Sequence, residues 1–339
     1  NQQLYLSISL PHGLEIASDI DITPDGKTIV FAARDDNEQL IYLRDLDDFS
    51  LRKVSGSRDG VNPTFSPDGK SIVFQARNRM FRASVAGGPP TPLTNAKWLT
   101  ADWSEEGTIV FSEGVNSPLV SMPAGGGTRT PLTNLADNQA YAHVWPQRIP
   151  GTNKMLFTVW KSGGGGGAHI LDLDSGQFGR LDGSSGDEGW LTPARWSASG
   201  HLIFEAGGSG LLVVPFDPEG GADVMRSEAR PLLDDVFSMG GVTRSVFALS
   251  EEGTLVYAPG AGLGRRLVWV AADGGTELIL EQKQGEQGVI GNGVVLSPDN
   301  TKVFTAAGND PVEVNLERKL ARRIPMEGND MNIVLTGDG

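Results

Sequence analysis

The stretch Thr23–Ala33 reads TPDGKTIVFAA, and Ser66–Ala76 repeats it almost letter for letter as SPDGKSIVFQA. Each copy opens as a turn. Proline sets φ at the second turn position, aspartate bonds to nearby backbone, and glycine takes the left-handed conformation that closes the turn. The run after the turn, such as Thr28-Ile29-Val30-Phe31, is apolar on both faces, the pattern of a strand covered by a sheet on either side. A short strand is expected before each turn, over 19–23 and 61–66. The unit is therefore a hairpin with a buried second strand.

The unit recurs along the whole chain. The place held by Pro24 returns at Pro67, Glu105, Pro150, Ala198, Glu251 and Pro298, at spacings of 38–53 residues. Second strands align as TIVF (28–31), SIVF (71–74), TIVF (108–111), KMLF (154–157), HLIF (201–204), TLVY (254–257) and KVFT (302–305). Third strands come next, from QLIYLRDL (39–46) to RLVWVAAD (266–273) and PVEVNLE (311–317). Fourth strands are shorter, as in TPLTN (91–95 and 130–134) and ELILEQ (277–282). No stretch carries an amphipathic helical period. Four-stranded units that can bury their faces only against one another predict an all-β chain. The fold read from them is a β-propeller of four-stranded antiparallel blades, one domain over residues 1–339. Seven blades is the preferred count, with six and eight left open. An eighth copy starts in 332–339 (NIVLTGDG) and stops at its turn, so the last repeat reads as truncated. LYLSISL (4–10) reads as a strand that closes the ring.

Two turns depart from the pattern. Asn300 stands in a glycine position, and asparagine is the next most tolerant residue of left-handed backbone. In the fourth repeat Thr152 holds that place with Gly151 one residue earlier, which predicts a different turn type.

Composition narrows the function. Among 339 residues, 28 basic against 42 acidic side chains give a net charge of −14. Such a surface repels phosphate backbones, so no nucleic-acid partner is expected. Cysteine is absent, which excludes disulfides, thiolate metal sites and cysteine nucleophiles. Apolar runs such as 211–216 are far shorter than the roughly 18–20 residues of a spanning helix. No membrane span is expected in this chain, and no charged-then-apolar leader is read in it.

Familiar catalytic motifs are incomplete. Gly26-Lys27-Thr28 and Gly69-Lys70-Ser71 look like the end of a phosphate-binding loop, but Asp21 and Thr64 fill the required glycine position. No G-x-S-x-G elbow exists; Ser209 comes nearest, with Leu211 where the last glycine belongs. Asp172-x-Asp174-Ser175-Gly176 starts like a calcium loop without its later glutamate, and reads as an inter-strand turn.

The repeats resemble those of TolB-like propellers, S-P-D-G-K/R-x-I-x-F. Phrases such as TFSPDGKSIVF (64–74), VAGGPPTPLT (85–94), HVWPQRIPG (143–151) and RRLVWVAADGG (265–275) are similar to a more specific group. That group is the propeller in the extracytoplasmic part of bacterial membrane-anchored serine/threonine kinases. The resemblance implies a periplasmic or extracellular segment of a membrane-anchored parent that senses or binds something. It does not imply the kinase, whose residues are absent, and with that family's ligands mostly undefined it carries over no catalytic residue.

In a propeller, the loops entering each innermost strand converge at the mouth of the central channel, where concave sites collect. Trp98, Asp102, His143, Trp145, Glu188, Trp190, Arg195 and Arg244 lie in those loops and are expected to bind the ligand. Their mixture suits a small polar ligand or a peptide or protein partner. Each also has a plainer role. Trp145 and Trp196 can pack between blades, Arg195 and Arg244 can pair with carboxylates, and His143 can be a hydrogen-bonded structural residue. Two classes of function are compatible with these residues. The first is a non-enzymatic sensor or interaction propeller. The second is a metal-dependent hydrolase of lactonase, esterase or phosphotriesterase type. There a divalent cation, calcium or zinc, would sit on Asp19, Asn62, Asp102, His143 and Asn292, with His143 as catalytic base.

Overall fold

Each of the first five repeats folds into one four-stranded antiparallel sheet with its strands side by side in chain order. A computed structural model of the chain describes residues 10–11, 13–35, 37–48, 50–96, 100–137, 140–161, 166–181, 193–205, 210–220, 229–234, 236–239, 244–258, 265–270, 276–282, 294–307 and 310–324. The first sheet comprises Glu15–Ile22, Thr28–Arg34, Gln39–Asp45 and Arg52–Lys53; the second comprises Val61–Phe65, Ser71–Ala76, Arg79–Ser84 and Thr91–Asn95. The next three begin at Thr100–Trp103, Ala142–Arg148 and Arg195–Ser197. The chain divides into two units, Asn1–Ala258 and Pro259–Gly339.

Alternation along the second strands explains their two apolar faces. Successive side chains point to opposite faces of a sheet, so each serves a different neighbour. Val30 shares a core with Ile72 and Phe74 of the second blade, while Phe31 shares one with Val246 and Ala248 of the sixth repeat. Val73 then joins Ile109 and Phe111, Val110 joins Met155 and Phe157, and Leu156 joins Leu202 and Phe204. Ile203 joins Val236 and Phe247. The succession of shared cores thus returns to its start after six repeats, all inside the first unit. The preferred count of seven includes a repeat that belongs to the second unit.

The sixth repeat departs from the expected sheet. Phe247–Leu249 pairs with Leu255–Tyr257, beside a short ladder of Ser238–Met239 with Arg244–Ser245. Phe237 N–H donates to Ala258 O at 2.8 Å and Ala258 N–H to Val246 O at 3.0 Å. The stretches read as its third and fourth strands pair with each other, Arg265–Val270 with Thr276–Gln282, in the second unit. That unit also holds the seventh repeat as a four-stranded sheet from Val294–Leu296 to Leu320–Arg323, with Val303, Val312 and Val314 buried. The stretches 4–9 and 332–339 lie outside the described residues.

The turns have the chemistry read from the sequence. Gly26 N–H donates to Thr23 O at 2.8 Å with φ +68°, and Asn300 repeats the bond to Ser297 O with φ +57°. The Thr23 hydroxyl donates to Asp25 Oδ1 at 2.7 Å and fixes the corner. In the fourth repeat Thr152 N–H donates to Ile149 O while the positive φ, +75°, falls on Gly151. Pro150-Gly151 is therefore the centre of a type II turn.

Gly26 also marks where the sixth repeat meets the first. A Cβ there would lie 2.6 Å from Thr254 Oγ1, whereas one on Gly107, at φ +76°, meets nothing within 4 Å. Gly107→Ala should cost about 1–2 kcal/mol for left-handed backbone alone. Gly26→Ala should cost at least about 1 kcal/mol more from overpacking. Equal losses in urea unfolding would show that the two repeats do not meet there.

Candidate functional site

The innermost strands of six repeats in the first unit surround a cavity of about 660 Å³. Its lining keeps the phase of the repeat. Three residues before the turn positions Pro24, Pro67, Glu105, Pro150, Ala198 and Glu251 stand Asp21, Thr64, Asp102, Gln147, Arg195 and Ala248. All six line the cavity, one from each blade.

At this depth the blades are tied by side-chain acceptors that take backbone N–H groups of the next blade. Ser18 Oγ accepts from Asn62 at 2.9 Å, Asp21 Oδ2 from Phe65 at 2.8 Å, Thr100 Oγ1 from Trp145 at 3.0 Å and Gln147 Oε1 from Trp196 at 2.8 Å. Asp102 likewise accepts from the Arg148 backbone. An innermost strand has no further strand on its channel side, so its donors need such partners. Strand pairing slips between Ile16 and Ile20, between Val61 and Thr64, and between Val144 and Gln147. The second and third slips hold Asn62 at φ +50° and Trp145 at φ +54°, a costly conformation for a bulky residue. Bulges re-aim side chains, and both residues line the cavity.

The lining is acidic. Among the described residues, Asp19, Asp21, Asp102, Glu105, Glu106 and Glu251 face only Arg148 and Arg195, an excess of four negative charges. Burial pushes the Asp21 carboxyl up to about 6, against the opposing pull of the Phe65 and Ile22 backbone N–H groups and of Arg195. Burial raises Asp102 to about 6 as well, opposed by the Arg148 N–H and by the charges of Arg195 and Arg148. Arg148 Nη1 also lies 3.6 Å from Glu106.

Of the expected site residues, Asp19, Asn62, Asp102, Trp145 and Arg195 come together here. His143 does not. It is fully buried, with Nδ1 2.7 Å from Thr133 Oγ1 and its ring edge-on to Phe157 and Phe178. Burial, helped by nearby His169, pushes its pKa down to about 4. Residues 143 and 145 would share a face in an unbroken strand; the slip at Val144 parts them. Arg244 lies in the strand Arg244–Ser245, though its side chain is outside what is described, and Trp98, Glu188, Trp190 and Asn292 lie outside the described residues altogether. Among the described residues no group of three or more His, Asp or Glu side chains is placed to hold a metal ion. Of the set expected to hold calcium or zinc, Asp19, Asn62 and Asp102 line the cavity and His143 does not, while Asn292 is not among the described residues. Thr64, Gln147, Arg148 and Glu251 escaped the sequence reading, although three of them could have been found by their phase in the repeat or at its turn.

No protein-family model matches the chain, and no curated protein does. Solved structures do. A TolB-type structure from Agrobacterium tumefaciens is 17% identical over 71% of this chain and 90% of its own, with a TM-score of 0.52. What the two share is the propeller fold. TolB from Acinetobacter baumannii is 20% identical over 59% of this chain, with a TM-score of 0.48. The propeller chain spans about half of that protein, 52%. An oligogalacturonate lyase solved in complex with manganese is 12% identical over 87% of each chain, with a TM-score of 0.49. No helix among the described residues is long and apolar enough to cross a membrane.

Proposed function

We propose that this chain is a binding propeller, the extracytoplasmic sensory portion of a bacterial membrane signalling protein, and that it takes a small polar ligand or peptide into its central cavity. The supporting observation is the ring of Asp21, Thr64, Asp102, Gln147 and Arg195, polar side chains from five successive blades around one cavity of about 660 Å³. Pockets of about 300–1,000 Å³ with a few convergent polar groups are typical of small-molecule sites. Placement outside the cytoplasm rests on the likeness of the repeats to TolB-like and kinase-linked propellers. The hydrolase reading loses support from His143, its candidate base, which packs against Phe157 and is not among the residues lining the cavity.

Native mass spectrometry after incubation with metabolite fractions and a peptide library tests the proposal. A retained species is expected on the parent protein and more weakly on Thr64→Phe, which puts a phenyl ring into the cavity. Capture of nothing, or equal capture by the folded variant, would remove the cavity as a binding site.

A further inference from the structure

The charge of the cavity names the chemistry of the ligand, an inference that rests on the binding function proposed for it. Asp21 and Asp102 are close enough for each charge to matter to the site, and both are balanced against the same guanidinium, Arg195. Arg148 also acts on Asp102, but it has Glu106 beside it, and no lysine among the described residues lines the cavity. With six carboxylates against two guanidiniums, the lining is short of positive charge.

The geometry points to a primary alkylammonium group as the feature this cavity recognises, seated at Asp21 and Asp102 with its alkyl chain against the half-buried Trp196. An ammonium carries three donors, and two carboxylates with the neighbouring Thr64 hydroxyl offer three acceptors. Each carboxylate accepts one backbone N–H and keeps its other oxygen for a ligand donor. Trp196, half-buried, lines the same cavity, and indole faces attract cations. The chemistry is shared by a free amine and by the lysine side chain of a peptide.

Titration calorimetry with four probes tests this: cadaverine, N-acetyl-lysine amide, glutarate and magnesium chloride. Either amine should bind, and glutarate and magnesium should not. Tighter binding of cadaverine identifies a free amine as the source, and tighter binding of the lysine amide identifies a peptide. Asp102→Asn keeps an acceptor for the Arg148 N–H but removes the charge, and should weaken amine binding about tenfold or more. Glu251→Gln, on the exposed turn, should weaken it less and serves if Asp102→Asn fails to fold. Affinity should fall as pH drops through about 6, where Asp21 and Asp102 take up protons. Binding near that pH should release protons, read from heats in buffers of different ionisation enthalpy. Glutarate or magnesium binding as well as the amines, or unchanged amine affinity in both variants, overturns the inference while leaving a binding cavity. Failure of both amines overturns it too, and only failure of the broad capture experiment as well removes the cavity as a binding site.

Discussion

Phe74→Ala is expected to lower the unfolding free energy by about 3–5 kcal/mol, the range for emptying a phenylalanine site in a core. Phe74 is fully buried, stacks on Phe81 with ring centroids 5.7 Å apart, and shares the first-to-second-blade core with Val30, Ile41 and Ile72. Its neighbours come from two sheets, so neither can close the void without parting from its other neighbour. The control is Tyr257→Ala at an exposed position, 40% accessible, where surface substitutions usually stay within about 0.5 kcal/mol. Urea unfolding followed by tryptophan fluorescence measures both. A loss below about 1 kcal/mol for Phe74→Ala would mean that this core collapses freely and that the blades are not locked face to face.

His143→Phe should make the propeller resist acid. The His143 imidazole is held neutral by burial, with its pKa pushed from 6.5 down to about 4. The unfolded chain therefore binds more protons than the folded one between those values. The contribution is fully present above pH 6.5 and is lost as pH falls toward 4. The full loss amounts to about 3 kcal/mol. Asp21 and Asp102 act with the opposite sign. Their folded values, about 6, exceed the ordinary 3.8, so their contribution is present below 3.8 and lost as pH rises through 6. Removing the histidine removes its share of the acid loss and leaves the carboxylate contributions common to variant and parent. The stability difference between His143→Phe and the parent should move by about 3 kcal/mol in the variant's favour from pH 6.5 to 4. A difference independent of pH in urea unfolding at pH 7, 6, 5 and 4 would show that the imidazole already titrates normally.

Much of this architecture was legible because it rests on local chemistry repeated many times. S/T-P-D-G specifies its turn within four residues, and TIVF declares two apolar faces without any knowledge of what covers them. Even the exceptions could be read: Asn300 is left-handed and Gly151 carries the shifted turn. The number of blades in the ring was not legible. It depends on whether Val246 and Ala248 or some later segment meets Phe31, a non-local choice that the period does not encode. The site was half legible for a related reason. Asp102 and Arg195 lie at a fixed phase before their turns, but His143 was displaced by a bulge that residue counting passes over. Gln147 looked unremarkable because its role, accepting the Trp196 N–H at 2.8 Å, belongs to the neighbouring blade's backbone.

The bonds between adjacent blades limit how this pocket can evolve. Positions 21, 102 and 147 must each present an oxygen to the next blade, so only side chains with an acceptor at that reach keep the ring intact. Aspartate-to-asparagine exchange satisfies that demand while removing one negative charge from the cavity. Positions 195 and 248 carry no such duty among these bonds. Their constraint is of another kind: Ala248 is buried in the core that Phe31 shares, and the Arg195 charge offsets both Asp21 and Asp102.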